Sequence, residues 1–476
     1  MLNIKNYPES ERVFYYFEEI SKIPHGSYNT KPIADYLENF AKSNDFEYVR
    51  DSADNVIIKK GATAGYETRP TVIIQGHTDM VAEKTAESAK NMDTDGLDLY
   101  VDGDFLRAHG TTLGGDDGIA VAYMLALLES TDIPHPALEM LFTSDEEVGL
   151  LGATALDTSS LKGKLMINVD SDDEGIFTVG CAGGARVDIN FNVKRENYSA
   201  KCYTLKVSDL LGGHSGVEID KGRANAVKLG AKILASVGNI RLISFEGGTK
   251  DNAIPREFTA VFMTNEEIKD CFENAKDALI SEYKATEPYA KITLTNCNCI
   301  CEKPVLDEIS TKTVINIINE TKSGVIEMSA DIEGLVESSE NLGIAKLTDS
   351  AMEFTVSVRS SKSDKKAMLI DTLKQIAAKY NASVSARGDY PAWEYKKDSH
   401  IRDICCKVFK DMYNKDAEVI TIHAGLECGI FSDKIEGLDC ISFGPNNNDI
   451  HTTEEHLSIS STDRVWSFIK KVLEEV

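Results

Sequence analysis

The sequence predicts an α/β fold whose core is interrupted by an α+β insert, and three observations carry that prediction. Helical and strand-like periodicities alternate from the start of the chain, the texture of a layered α/β core. After Cys181-Ala182-Gly183-Gly184 the order changes to paired strands with longer helices. After the turn residues Gly388-Asp389-Tyr390-Pro391 the first texture returns. The expected division is 1–184 for the first part of the core, 185–388 for the insert and 389–476 for the second part.

Taken in order, Arg12 to Ile23 and Thr30 to Ser43 have helical periodicity, and strand-like runs follow at Asn55 to Lys59 and Thr71 to Gln75. Gly118 to Leu128 reads as a helix, Ala137 to Thr143 as a strand, and Leu165 to Val169 as a strand ending at Asp170. The insert reads as strands at Arg186 to Val193 and Cys202 to Asp209, a helix at Arg223 to Val237, strands at Arg241 to Phe245 and Phe258 to Met263, and a helix at Glu266 to Lys284. Helix and strand texture continues through Asp307 to Asn319, Met352 to Arg359, Lys362 to Tyr380 and Ala382 to Arg387. Ile401 to Tyr413, Glu418 to His423, Leu438 to Phe443 and Asp463 to Leu473 complete the returning core.

Composition bounds the function. At 476 residues, 42% hydrophobic and 27% charged, the chain can bury a sizeable core and form two domains. A formal charge of -26 with no Lys/Arg stripe excludes nucleic acid as a natural partner. The start, Met1-Leu2-Asn3-Ile4-Lys5-Asn6-Tyr7-Pro8-Glu9, lacks the apolar stretch of a signal peptide, and no later apolar run is long enough to span a bilayer. A cytoplasmic protein with no membrane partner is expected. The 10 Cys have no framework spacing and read as reduced thiols. Cys297, Cys299 and Cys301 would share a face of an extended strand and could bind zinc, but the usual Cys-x2-Cys pairs are absent, so they read as small buried side chains without a role.

Five short segments carry the chemistry: Gln75-Gly76-His77-Thr78-Asp79, Gly114-Gly115-Asp116-Asp117-Gly118, Ser144-Asp145-Glu146-Glu147, Asn168-Val169-Asp170 and Asp449-Ile450-His451. Each follows or abuts a strand-like run, and open α/β sheets place ligands at strand C-termini. Together they offer two imidazoles and a surplus of carboxylates, the ligand set of a paired divalent-metal site with a carboxylate left over as a base. Each segment also has a plainer reading. His77-x-Asp79 is common as a structural pair. Gly-Gly-Asp-Asp-Gly could be a loop ending in a helix N-cap, with a single Asp there equally able to bridge two cations. Glu146 and Glu147 could be a solvated acidic turn in a chain with 77 Asp and Glu. The ordered coincidence of all five favours the metal site.

The ordered series resembles the M20 metallopeptidase family, and within it the cytosolic aminoacyl-histidine dipeptidase branch. The segments that carry the resemblance are Gly76-His77-Thr78-Asp79-Met80-Val81, Thr112 to Gly118, Thr143-Ser144-Asp145-Glu146-Glu147-Val148-Gly149, Gly212-Gly213-His214-Ser215-Gly216 and His423-Ala424-Gly425-Leu426-Glu427-Cys428-Gly429. The resemblance implies a zinc-peptidase-like α/β/α catalytic domain interrupted by an inserted α+β lid domain. It implies two divalent metal ions, zinc or else manganese or cobalt, with His77 and Asp170 holding one, Glu147 and His451 the other, and Asp116 bridging. It further implies that Asp79 orients and polarises His77, that Glu146 is the general base, and that His214 stabilises the oxyanion, often from the partner subunit of a homodimer formed through the lid. Asn252 and Arg359 would meet the substrate, Arg359 through its planar fork, with a salt-bridged structural arginine as the alternative.

Two departures stand out. Gly444 to Ile450 replaces the usual approach to His451 and Thr452-Thr453 the usual Ser-Pro after it, while Asp117 replaces the usual Asn and adds negative charge near the metals. The implied activity is hydrolysis of small dipeptides of the Xaa-His type, such as beta-Ala-His, or of related unspecific dipeptides. An N-acyl amino-acid amidohydrolase and an inactive metal-binding homologue are the alternatives. The free Glu146 argues against the last, because a protein that only binds metal has no use for an unliganded carboxylate.

Overall fold

The computed structural model describes residues 4, 7–330 and 332–476. The strand Lys291–Leu306 includes Cys297, Cys299 and Cys301, whose side chains lie outside the described residues, as does most of the Met1 to Glu9 stretch before Tyr7. The chain forms two compact units: Met1–Cys181 with Tyr395–Thr421 and Leu426–Val476, and Ala182–Glu394 with Ile422–Gly425. The sequence places the divisions after residues 184 and 388.

The first unit is built on an eight-stranded mixed sheet in the order Glu47–Arg50, Val56–Lys60, Leu138–Thr143, Val72–His77, Leu165–Asn168, Asp439–Ser442, Ile176–Cys181 and Glu418–Ile422. Its centre is parallel, and the central strand Val72–His77 is buried along its whole length. That is why it reads as an unbroken apolar run rather than an alternation. Register matters more than strand count here. His77 lies opposite Thr143, and Gln75 opposite Asn168, so three parallel strands end side by side and release Thr78, Ser144 and Val169 at one edge.

Helix Gly115–Glu129 is apolar all round, and Gly118 to Leu128 are buried without exception, as expected of a helix enclosed on every side. Helices Glu11–Ser21 and Ile459–Glu475 flank it. The Tyr123 ring stacks on Trp466 with centroids 5.9 Å apart, and the Tyr123 hydroxyl donates to the Thr462 carbonyl at 2.8 Å, so the one polar atom of that ring is satisfied inside the core. Phe177, Phe409, Phe443 and Phe468 form a second aromatic cluster under the returning segment.

The second unit is an antiparallel sheet of nine strands. Eight run in the order Lys291–Leu306, Arg195–Ser208, Phe258–Thr264, Arg241–Gly247, Val336–Leu347, Ala351–Ser360, Gly183–Asn192 and Ser383–Tyr390, and Gly324–Met328 pairs with Val336–Leu347. Helices Ala226–Ser236, Lys269–Glu282, Glu308–Glu320 and Ser363–Lys379 contribute to its separate apolar core. The architecture is α/β with a mixed central sheet plus a separate antiparallel α+β unit, as the sequence predicts. No helix among the described residues is long and apolar enough to cross a membrane.

Candidate metal centre

The strand ends place the first ligands. His77 closes its strand and is 1% exposed. Its Nδ1 lies 2.9 Å from the Asp79 carbonyl oxygen and 3.5 Å from Asp79 Oδ1. A proton on Nδ1 satisfies that carbonyl and leaves the Nε2 lone pair facing outward. The main-chain carbonyl, more than the carboxylate, therefore fixes the tautomer. The Asp79 carboxylate instead accepts from Ser27 Oγ at 2.8 Å and from the N–H groups of Glu146 and Glu147 at 2.9 and 3.3 Å. Asp79 thus orients the histidine through its carbonyl and the acidic turn after Thr143 through its carboxylate.

Asp116 stands between the two imidazoles. Its Oδ1 is 3.0 Å from His77 Nε2 and its Oδ2 is 3.1 Å from His451 Nε2. Asp170 Oδ1 lies 4.0 Å from His77 Nε2, and Glu147 Oε1 lies 2.8 Å from His451 Nε2. Three sets of ligand atoms fall within 4.8 Å of one another: His77, Asp116 and Asp170; Asp116, Glu147 and His451; and His77, Glu146 and Glu147. Asp116 is common to the first two. His451 comes from the turn between Asn447–Asn448 and His456–Ser458, paired strands that join the hairpin of Leu99–Asp102 and Phe105–Ala108.

Electrostatics tests whether cations suit this cluster. Among the described residues, the only cationic partners of Asp116, Glu147 and Asp170 in ion pairs are the two histidines. Burial pushes the Glu146 carboxyl well above its usual range; His77 opposes this, and the neighbouring Glu427 and Glu147 reinforce it. Burial likewise raises Asp170, with Asp116, Asp117 and Glu146 adding to the effect against His77. Hydrogen bonds to Asp116 and Glu147 push His451 up to about 10. For His77, burial works downward, but Asp116 and Asp79 outweigh it. Among the described residues, protons are thus the only counter-charge in these ion pairs. Divalent cations bound to the same oxygens and nitrogens would replace them, so the donor set fits a two-cation site.

Asp117 is buried and accepts the His77 N–H at 3.2 Å, and burial pushes its pKa upward. Its carboxyl also explains Gly76, where an added Cβ would lie 2.5 Å from Asp117 Oδ2 and 2.4 Å from Ala120 Cβ.

Sequence reasoning missed the support beneath the site. Glu427 is fully buried and accepts from Gln75 Nε2 at 2.5 Å and the Thr143 hydroxyl at 2.6 Å, while Asn168 Nδ2 donates to Gln75 Oε1 at 2.7 Å. This network joins the ends of all three central strands. Gln75, Asn168 and Glu427 lay inside the segments already singled out, but nothing in their spacing separates a ligand from a strut. Ser27 had no sequence signal at all.

The three remaining candidates belong to the second unit. His214 pairs with Ala253 in a two-stranded ribbon, and its Nδ1 accepts the Gly216 and Val217 N–H groups, each at 3.2 Å. Nε2 is then the protonated nitrogen. Burial, followed by the charge of Arg359, lowers its pKa, so the ring is a neutral donor. Asn252 is exposed, and its carbonyl accepts the Ser215 N–H at 2.8 Å. Arg359 donates to the Tyr390 hydroxyl at 2.9 Å, forms no ion pair among the described residues, and leaves Nε buried without a hydrogen-bond partner. The structural salt bridge considered for it is absent there.

Comparisons with known proteins give the family. The model of peptidase family M20/M25/M40 matches residues 73–475. The chain is 35% identical over 467 residues to the cytosol non-specific dipeptidase of Escherichia coli (strain K12), covering 97% of this chain and 96% of that protein. It is similar to the crystal structure of aminoacylhistidine dipeptidase from Vibrio alginolyticus, with a TM-score of 0.89 and 32% identity over 99% of this chain and 98% of that one. Aminopeptidase PepT from Bacillus cereus shares the fold at a TM-score of 0.58 and 16% identity, with 98% of each chain covered. With its five segments in order on a matching fold, the chain belongs to peptidase family M20/M25/M40.

Proposed function

We propose that this protein is a dipeptidase that uses two divalent cations, with Xaa-His dipeptides such as beta-Ala-His and related unspecific dipeptides as substrates. The observation that carries the reading is Asp116 set between His77 and His451, with Asp170 and Glu147 completing a donor set on either side. Similarity along nearly the whole chain to two dipeptidases supports the substrate class.

His77 and Asp170 would hold one cation, Glu147 and His451 the other, and Asp116 both. Zinc suits the mixed imidazole and carboxylate set, with manganese or cobalt as alternatives. When bound, the pair supplies Lewis acidity to the scissile carbonyl and acidifies the attacking water. Glu146 takes the proton from that water and delivers it to the leaving amine. Asp79 keeps Glu146 and Glu147 in place through their amides and holds His77 as the Nδ1–H tautomer. His214 donates Nε2–H to the developing oxyanion, and Arg359 pairs with the substrate carboxylate. Asn252 contacts the substrate. The second unit serves as lid and as the surface of a homodimer, and the protein works in the cytoplasm.

Glu146→Ala tests the division between ligands and base. Its metal content should equal that of the wild type while kcat falls by about 10²- to 10⁴-fold. Metal lost in step with activity would make Glu146 a ligand, and retained turnover would remove it from the chemistry. A panel of dipeptides against N-acyl amino acids separates this reading from an amidohydrolase.

A further inference from the structure

The turn that delivers Asp116 is held by a carboxylate from a distant part of the chain. Glu455, four residues after His451, is 4% exposed. Its Oε2 accepts the N–H groups of Leu113 at 2.7 Å and Gly114 at 3.0 Å, and its Oε1 those of Gly115 at 2.8 Å and Asp116 at 3.3 Å. Asn447 Nδ2 adds a fifth donor to Oε1 at 3.3 Å. Four consecutive amides converging on one point make the kind of concave backbone that binds anions. Here the anion is a side chain of the same protein.

The sequence is fitted to this arrangement. Gly114 has φ +67°, in the left-handed region, and a Cβ there would lie 2.8 Å from Met80 Sδ. A Cβ on Gly115 would lie 2.8 Å from Asn447 Nδ2. The glycines therefore let the turn close on Glu455 and let Asn447 approach it.

The placement has a consequence for the cations. Glu455 fixes the last amide before the Asp116 side chain, whose two oxygens face His77 Nε2 and His451 Nε2. It also lies in the short segment that carries His451 back into the Asn447–Asn448 and His456–Ser458 pair. One side chain thus ties the turn of the shared ligand to the turn of an outer ligand. A stabilising role alone would be met by any cap of the glycine turn. A carboxylate drawn from the His451 segment also sets the spacing between the two turns.

We propose that Glu455 is a positioning residue for the cation pair, holding Asp116 and His451 at the separation that lets Asp116 serve both cations. This rests on the two-cation reading above. Glu455→Gln preserves shape but turns one acceptor oxygen into an amide that meets at least two N–H donors. The experiment titrates metal-free protein with Zn²⁺ by calorimetry, and measures the unfolding temperature of the metal-free form and the kcat and KM of the reconstituted enzyme. Wild type should bind two equivalents. Glu455→Gln should stay folded without metal, bind one of the two at least about tenfold more weakly, and lose about tenfold or more in kcat with little change in KM. Two equivalents bound at wild-type affinity would overturn the proposal, even if the unfolding temperature fell. Should the glutamine variant not fold, Glu455→Asp, which keeps the charge but shortens the reach, takes its place in the same titration. One weakened site then supports the proposal, and wild-type affinity at both sites overturns it. Failure of the two-cation reading shows separately, as a wild-type titration that does not reach two equivalents.

Discussion

At the scale of single residues, the recurring device is a buried carboxylate whose value depends on what surrounds it. Asp79, Glu427 and Glu455 accept several donors each and act as struts. Glu340 has less such support, a backbone hydrogen bond from Lys322. It is 1% exposed, its Oε1 has no hydrogen-bond partner, and burial pushes its pKa from 4.5 up to about 7, against the opposing charges of Lys322 and Lys228. A carboxyl whose pKa is higher in the folded state favours folding relative to its ionised form at low pH. That advantage is complete below 4.5 and disappears as pH rises to about 7, a difference of about 3 kcal/mol. Glu340→Gln should therefore raise the unfolding temperature more at pH 8 than at pH 5. An equal change at both values would show that Glu340 does not titrate in this window. The candidate ligands His77, Glu147 and Asp170 were legible in the sequence because each stands at or just after an apolar strand. Glu455 was not, because its partner Leu113 is 342 positions away and Glu454-Glu455 looks like any acidic pair in this chain.

At the scale of elements, legibility followed the match between burial and hydrophobicity. Val72–His77, Leu138–Thr143 and helix Gly115–Glu129 are buried and apolar, so sequence and structure agree on them to within a few residues. Val336–Leu347 was missed, although residues 336 to 343 are all buried, because Glu337, Ser338, Ser339, Glu340 and Asn341 fill its centre. Ser338 bonds Ser360, Ser339 bonds His423, and Asn341 donates to the Asp251 and Ala253 carbonyls. A strand satisfied by side-chain partners from several elements carries no periodic signal of its own. The helix read from Arg223 starts instead at Ala226, because Asn225 caps it through the amides of Val227 and Lys228. Between residues 211 and 224 runs the loop that carries His214, and Glu287 pins both ends by accepting Leu211 N–H at 2.8 Å and Ala224 N–H at 3.0 Å. Glu287→Ala should destabilise the second unit by about 2 to 4 kcal/mol through two orphaned donors. It should also expose this loop to limited proteolysis, and wild-type stability together with an uncut loop would contradict that role.

At the scale of the whole molecule, the chain returns to its first unit after the second, and that return is what brings His451 to residues of the first half. The order of the five segments was readable from sequence, whereas the exact crossings were not, since Ile422–Gly425 sides with the second unit inside an otherwise returning stretch. Several carboxylates converge where the sheet ends, so metal removal should lower stability as well as activity. Chelation is expected to lower the unfolding temperature, and readdition of the cation to restore it in a concentration-dependent way. Everything proposed for the chemistry depends on a pair of cations at this site hydrolysing dipeptides. That is tested by titrating metal-free protein with Zn²⁺ while following hydrolysis of an Xaa-His dipeptide. No turnover is expected without metal, and a plateau is expected at two equivalents per chain. Full turnover of the metal-free protein, or a plateau at one equivalent, would contradict the two-cation mechanism.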